Sequence, residues 1–356
     1  MNKLNSMIAI AALAMTFTAC KKDSEEPVIV VPPSDGSILT LNGIIGTEAG
    51  SAAGNSVYVD FSTDKQTSVA RASWDLGFYS GSDFRVILNN TTAAGAKVIQ
   101  TPNANLATVG EADTLGLTLA YNPGNPLNTD FAYYDAIDGN LSNTAIPAIS
   151  SVAGENKVII LNRGTGGGIG ARSWIKLRVT RNASGGYTLQ YGKIKETTNF
   201  TTVDIPKDGN FNFKFVSLKN GTLLNAQPEG ANWDISWTYS IYQTSNLPYA
   251  FSDLIFINNL DDVTAALVDT GIIPSLSYTT FSEADIAKVT FSNSRYTIGS
   301  SWRSTQPATG IKTNLFYVIK DASNNVYKLR FVSMGVAGDG GTRGKPVIEY
   351  KLVKKG

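Results

Sequence analysis

The chain has 356 residues, 42% hydrophobic and 17% charged, with 30 Lys and Arg against 29 Asp and Glu and no histidine. So even a charge balance argues against a nucleic-acid partner, which needs a basic face to neutralise phosphates. Without imidazole, serine-hydrolase triads and histidine metal sites fail as well. The single cysteine, Cys20, leaves no intrachain disulfide, so packing alone must stabilise a body long enough for two domains.

Residues 1–19 read as a targeting segment. Lys3 supplies a basic start, and an apolar run over 7–19, interrupted by Thr16 and Thr18, is too short to span a bilayer and has signal-peptide length. It ends in Phe17-Thr18-Ala19-Cys20, which resembles a bacterial lipobox with Phe17 where Leu is commoner. Cys20 is then the lipidated first residue of the mature protein, and each buried methylene of its acyl chains contributes about 0.8 kcal/mol of anchoring. Residues 20–38 carry Lys21, Lys22, Asp23, Glu25 and Glu26, then Pro27, Pro32 and Pro33, and read as a solvated linker. Acidic residues just after the lipidated cysteine resemble the surface-export signal of Bacteroidetes-type lipoproteins. The expected location is the outer membrane or cell surface, held by the lipid anchor.

Residues 39–205 form the first expected β domain. Trp74-Asp75-Leu76-Gly77-Phe78-Tyr79 reads as a strand, and Asp138-Gly139-Asn140 as a turn that tolerates positive φ. The apolar run 158–161 reads as a fully buried strand. The glycines between Gly164 and Gly170 satisfy a relaxed dinucleotide spacing, but a strand follows where the pyrophosphate would need a helix N-terminus, so they read as an interstrand loop. In that strand Ile175, Leu177 and Val179 alternate with Lys176, Arg178 and Thr180; Tyr187, Leu189 and Tyr191 alternate after the turn at 182–186.

Pro206-Lys207-Asp208-Gly209 marks the expected join to a second β domain, 206–356. Phe213 and Phe215 alternate with Lys214, and Trp233-Asp234-Ile235-Ser236-Trp237 answers the first Trp-Asp pattern. A second apolar run covers 254–257. Val263, Ala266 and Leu267 stand at helical spacing and predict a short helix over 261–269, and Ser282-Glu283-Ala284-Asp285 fits a capped turn. Asp321 to Asn325 mimics the start of a calcium loop but lacks its Gly and distal Glu, so it reads as a hairpin turn. Tyr327, Leu329 and Phe331 answer the Tyr187 pattern, and Ile348, Tyr350 and Leu352 alternate near the end. Two patterns in the same order twice predict a mainly β protein of two antiparallel domains in tandem, with one or two short helices. Neighbours on a strand face opposite ways, so Trp74 and Trp233 should fill core while Asp75 and Asp234 meet backbone donors or a basic partner.

These strands resemble the HmuY family of Bacteroidetes lipoproteins. The resemblance rests on the Trp-Asp strands, on Phe316-Tyr317-Val318-Ile319-Lys320-Asp321 leading into Tyr327-Lys328-Leu329-Arg330-Phe331, and on the closing Lys345-Pro346-Val347-Ile348-Glu349-Tyr350. It implies a mainly β fold, an outer-surface location, and non-catalytic capture of haem or a related porphyrin in iron acquisition, with an outer-membrane transporter as partner. Members hold haem iron through paired His or Met side chains. This chain departs from that pattern: it has no His, and beyond the leader its one methionine, Met334, cannot make a pair. Tyrosine also serves as an axial ligand, which nominates Tyr79, Tyr133, Tyr134, Tyr239, Tyr242 and Tyr249 beside Met334. A different class of reading is a surface adhesion module for glycans or host proteins that keeps the fold without haem. A carboxylate-only glycosidase needs two placed acids, and no pair in the sequence is nominated.

Overall fold

Alternating residues bury one face of a strand, and the alternating runs of this chain become antiparallel strands accordingly. The computed structural model describes residues 31–356. Residues 1–19, Cys20 and the linker as far as residue 30 lie outside the described residues. The segment Pro33–Gly356 is one compact unit.

Nine strands open the described chain: β1 (Gly36–Thr40), β2 (Asn55–Asp60), β3 (Lys65–Ala70), β4 (Leu76–Tyr79), β5 (Val86–Leu88), β6 (Gly95–Val98), β7 (Ile159–Asn162), β8 (Ile175–Arg181) and β9 (Tyr187–Lys193). Nine more follow the same path: β10 (Thr201–Ile205), β11 (Phe213–Ser217), β12 (Thr222–Leu224), β13 (Ile235–Thr244), β14 (Leu247–Ile257), β15 (Thr264–Asp269), β18 (Leu315–Lys320), β19 (Val326–Ser333) and β20 (Val347–Lys354). A small ribbon of β16 (Arg303–Ser304) and β17 (Gly310–Ile311) interrupts the second series.

The two series exchange their first three strands. One sheet pair is β12-β11-β4-β5 with β10-β9-β8-β7-β6; the other is β14-β13-β2-β3 with β1-β20-β19-β18-β15. Thus β11 pairs with β4, placing Val216 opposite Leu76, while β2 pairs with β13, placing Val59 opposite Ile235. Likewise β10 closes on β9 and β1 closes on β20. The connection at 206–209 therefore runs inside the first sheet pair, and residues 36–38 of the expected linker belong to β1. Each pair encloses its own core. Leu76, Phe78, Leu177 and Tyr187 lie in the first; Val57, Trp237, Tyr327, Met334 and Tyr350 lie in the second.

The Trp-Asp correspondence extends to hydrogen bonds. Asn89 Nδ2 donates to the carbonyls of Arg71 and Trp74, both at 2.7 Å, and Asn258 Nδ2 donates to those of Gly230 (2.8 Å) and Trp233 (3.0 Å). Asp75 accepts from the Leu218 N–H and Asp234 from the Phe61 N–H, each donor one residue past an exchanged strand, β11 and β2 respectively. The second pattern differs: β9, with Tyr187, stands next to the sheet edge, whereas β19, with Tyr327, occupies the place of β8. Its two halves look alike because both strands bury one face, not because they are equivalent.

The helix expected over 261–269 is corrected to a 3-10 turn, Asn259–Asp261, followed by β15. Ala265 packs into one core while Ala266 and Val268 pack into another. A strand buried on both faces places apolar residues side by side, and that spacing imitates a helix. The longest helical segments among the described residues are the six-residue 3-10 turns Asn128–Tyr133 and Glu283–Lys288. The second begins as expected, with Ser282 N–H donating to the Asp285 carboxylate at 2.9 Å.

Candidate functional site

β13 and β14 are ten and eleven residues long, but β2 covers only Ile235 to Trp237 of β13. The rest of this hairpin projects beyond its sheet. It turns through Ser245 and Asn246, both at positive φ (47° and 62°), the backbone of a tight two-residue hairpin turn. Residues 121–134 fold back onto it: Asn128 Nδ2 donates to the Asn246 carbonyl at 3.0 Å, and the Ala250 N–H donates to the Tyr121 hydroxyl at 3.0 Å.

This arrangement collects aromatic rings. Tyr249, 37% exposed, stands 6.0 Å from Tyr121 and 5.0 Å from Phe251. Phe251 lies 5.9 Å from Tyr242, which lies 5.1 Å from Tyr296. Tyr133 and Tyr134 meet edge to face at 6.5 Å, and Tyr134, Tyr239 and Tyr121 pack with Ile241 and Ala250. Five of the six tyrosines nominated by sequence thus share one hairpin and its covering loop. The sixth, Tyr79, lies in the other sheet pair, its ring 5.6 Å from Phe213. Met334 is fully buried in the second core and presents no sulfur to a ligand. Tyr121, Phe251 and Tyr296 complete the cluster; sequence reasoning missed them because long-range folding alone brings them there.

Burial sets the electrostatics. Desolvation pushes the Tyr239 phenol up to about 12 and moves Tyr121, Tyr134 and Tyr242 upward as well. These hydroxyls stay protonated at neutral pH. The Arg71 guanidinium sits 5.0 Å from the centre of the Tyr239 ring. Arg71 is fully buried and donates to the carbonyls of Ala53 (2.8 Å), Gly166 (3.1 Å) and Gly167 (2.9 Å). The glycine loop therefore wraps a cation. At Gly167 (φ +63°) a Cβ would lie 2.5 Å from that guanidinium.

Asp75 and Asp234 diverge in their partners. Asp75 takes Arg163 through two contacts of 2.8 Å and Arg172 through one of 3.0 Å. Asp234 has no cation within 4.0 Å among the described residues. Burial, with Asp60 and Asp321 nearby, raises its carboxyl well above the usual range.

Paired His or Met ligation of iron does not fit these residues. The chain lacks His and Met334 is enclosed. Among the described residues no group of three His, Cys, Asp or Glu is placed to hold a metal. A separate cleft of about 100 Å³ lies between the two Trp-Asp sheets, well below the roughly 300 Å³ at which sites for drug-sized ligands begin.

The frame is that of an all-β chain built from paired antiparallel sheets, with an aromatic face on a projecting hairpin. A family model described as HmuY protein matches residues 52–350, across both strand series, and the chain belongs to the HmuY family. That family is haem-binding and non-enzymatic, and its members are typically surface-exposed. No curated protein and no solved structure matches the chain. Among the described residues no helix is long and apolar enough to cross a membrane.

Proposed function

We propose that this chain is a non-enzymatic binding protein, lipid-anchored through Cys20 at the outer membrane or cell surface. It captures a flat ligand of the haem or porphyrin class on the tyrosine face of β13 and β14. The ligand is held by stacking, without His or Met on the iron, and passes to an outer-membrane transporter. One observation carries the reading: Tyr242 and Tyr249 stand opposite each other on one face of the projecting hairpin beside Phe251, with Tyr249 presented to solvent, while Tyr133, Tyr134 and Tyr239 pack on its other face. Aromatic pairs contribute about 0.5–1.5 kcal/mol each beyond the area they bury, so several rings with their buried area support micromolar affinity. The same reading takes the two nine-strand series as one unit used twice, the second opening at β10 (Thr201–Ile205), just before the join expected at 205 and 206.

Haem absorbance titration of the full-length chain tests the proposal. A Tyr242→Ala/Tyr249→Ala variant should bind about tenfold or more weakly, from the loss of two ring contacts. An unchanged Soret band on titration, or equal affinity in the variant, would end this reading. The burial of Met334 and the missing imidazole favour a second reading, a surface adhesion module for glycans or host proteins; glycan capture by a haem-inert sample would support it.

A further inference from the structure

The inward face of β2, β13 and β14 looks across the cleft at β5 and β11, and both pattern tryptophans, Trp74 and Trp233, line it. Its floor is unlike a core. Ser56, Ser236, Thr238 and Ser240 are each at most 5% exposed on a sheet face where apolar side chains would pack. Ser56 Oγ meets Thr238 Oγ1 at 2.6 Å.

Arg295 enters the cleft with its guanidinium 4.2 Å from the centre of the Phe256 ring. Gly139 leaves room for it: a Cβ there would lie 2.9 Å from Arg295 Cδ. Among the described residues Arg295 has no ion pair within 4.0 Å. The neighbouring Asp135 carboxylate is occupied by the backbone N–H groups of Leu88 (2.7 Å) and Ala145 (3.0 Å). Two further polar atoms are buried without a partner: Trp233 Nε1, on a residue 6% exposed, and Asn90 Oδ1. Buried polar groups are normally satisfied, and an orphaned donor lining the same cleft as a guanidinium with no ion pair within 4.0 Å marks room for an acceptor.

We infer that this cleft binds a sugar acid: one pyranose ring carrying a carboxylate, in the manner of a hexuronate residue. The ring's apolar face rests on indole surface, its hydroxyls meet the serine and threonine row and Asn90, and its carboxylate takes Arg295, the planar fork suited to it. The enclosed volume of about 100 Å³ is below the roughly 150 Å³ that holds a benzene ring, so the cleft seats the carboxylate-bearing edge of one ring and leaves the rest of the sugar, with any glycan beyond it, in its open mouth. This deepens the adhesion reading and does not depend on haem capture.

Calorimetric titration of the full-length chain with sodium glucuronate, methyl β-glucoside and sodium acetate tests it. Glucuronate should bind, and the neutral glucoside and the bare carboxylate should each bind about tenfold or more weakly. Arg295→Gln should lower glucuronate affinity about tenfold or more, and Trp233→Phe, which keeps an aromatic ring but removes the N–H, about threefold to tenfold. Tyr242→Ala/Tyr249→Ala should leave it unchanged. If Arg295→Gln does not fold, ligand selectivity and Trp233→Phe decide. No heat at about 50 mM glucuronate, acetate binding as well as glucuronate, or indifference to both cleft variants would overturn the site. Capture of neutral glycans alongside such a failure would leave the adhesion reading standing without it.

Discussion

Asp75 and Asp234 hold the same place in the two strand series, yet their replacement by asparagine should act in different ways. Asp75 is 1% exposed and neutralises Arg163 and Arg172, which are themselves largely buried. Asp75→Asn leaves two guanidinium groups without a counter-charge, and breaking a buried ion pair in this way costs about 3–5 kcal/mol. The amide oxygen still accepts from the Leu218 N–H, so the lower end of that range is expected. Asp234 neutralises nothing, and its charged form is disfavoured by burial and by Asp60 and Asp321. Asp234→Asn keeps an acceptor for the Phe61 N–H (2.7 Å) and replaces a carboxyl whose charged form burial disfavours with a neutral amide. Its cost should lie within about 1 kcal/mol of zero. Urea unfolding at pH 7, followed by tryptophan fluorescence, reads both changes as shifts in midpoint at constant slope. Equal losses in the two variants would refute the reasoning, because they would mean that the arginines add nothing to the Asp75 site.

Asn258→Ala removes two donated bonds and leaves the carbonyls of Gly230 and Trp233 unpaired, so it should cost about 2–3 kcal/mol in the same assay; a loss below about 0.5 kcal/mol would count against the turn's role. Stability should also fall between pH 5 and pH 8. Burial lifts the carboxyls of Asp135, to about 6, and of Asp234 and Asp321. Unfolded Asp titrates near 3.9, so across this window the folded chain holds protons that the unfolded chain has lost. That stabilisation is complete below about pH 4 and disappears as pH rises through the folded values. Asp135 alone supplies on the order of 2 kcal/mol. Calorimetric Tm at the two pH values checks the sign, and Asp135→Asn should flatten the slope; a Tm that rises toward pH 8 would contradict it.

Much of the frame was legible because each strand displays its own burial. Phe213 and Phe215, or Ile175, Leu177 and Val179, announce a one-sided sheet whatever strand lies alongside. For the same reason the exchange of β1 to β3 with β10 to β12 was not legible: Val59 would alternate identically against any partner. The Trp-Asp repeat could be read because it reports one local turn, fixed each time by an asparagine fifteen or more residues later. The misread segment at 261–269 and the unequal Tyr187 and Tyr327 strands share a cause, since apolar spacing records how much is buried and not against what. Of the candidate site, the kind of side chain was legible and its assembly was not. The tyrosines are brought together by a loop more than one hundred residues away from the hairpin. The arginines at 71, 163, 172 and 295 gave no signal because a buried guanidinium and a surface one are written with the same letter.

Parallel titration of the full-length chain with haem and with iron-free protoporphyrin tests the tyrosine face most directly. Capture by stacking predicts similar affinity for both, competition between them, and the same loss in Tyr242→Ala/Tyr249→Ala. Binding of the iron form alone would contradict it by requiring a ligand to the metal, and binding of neither would remove porphyrin capture altogether.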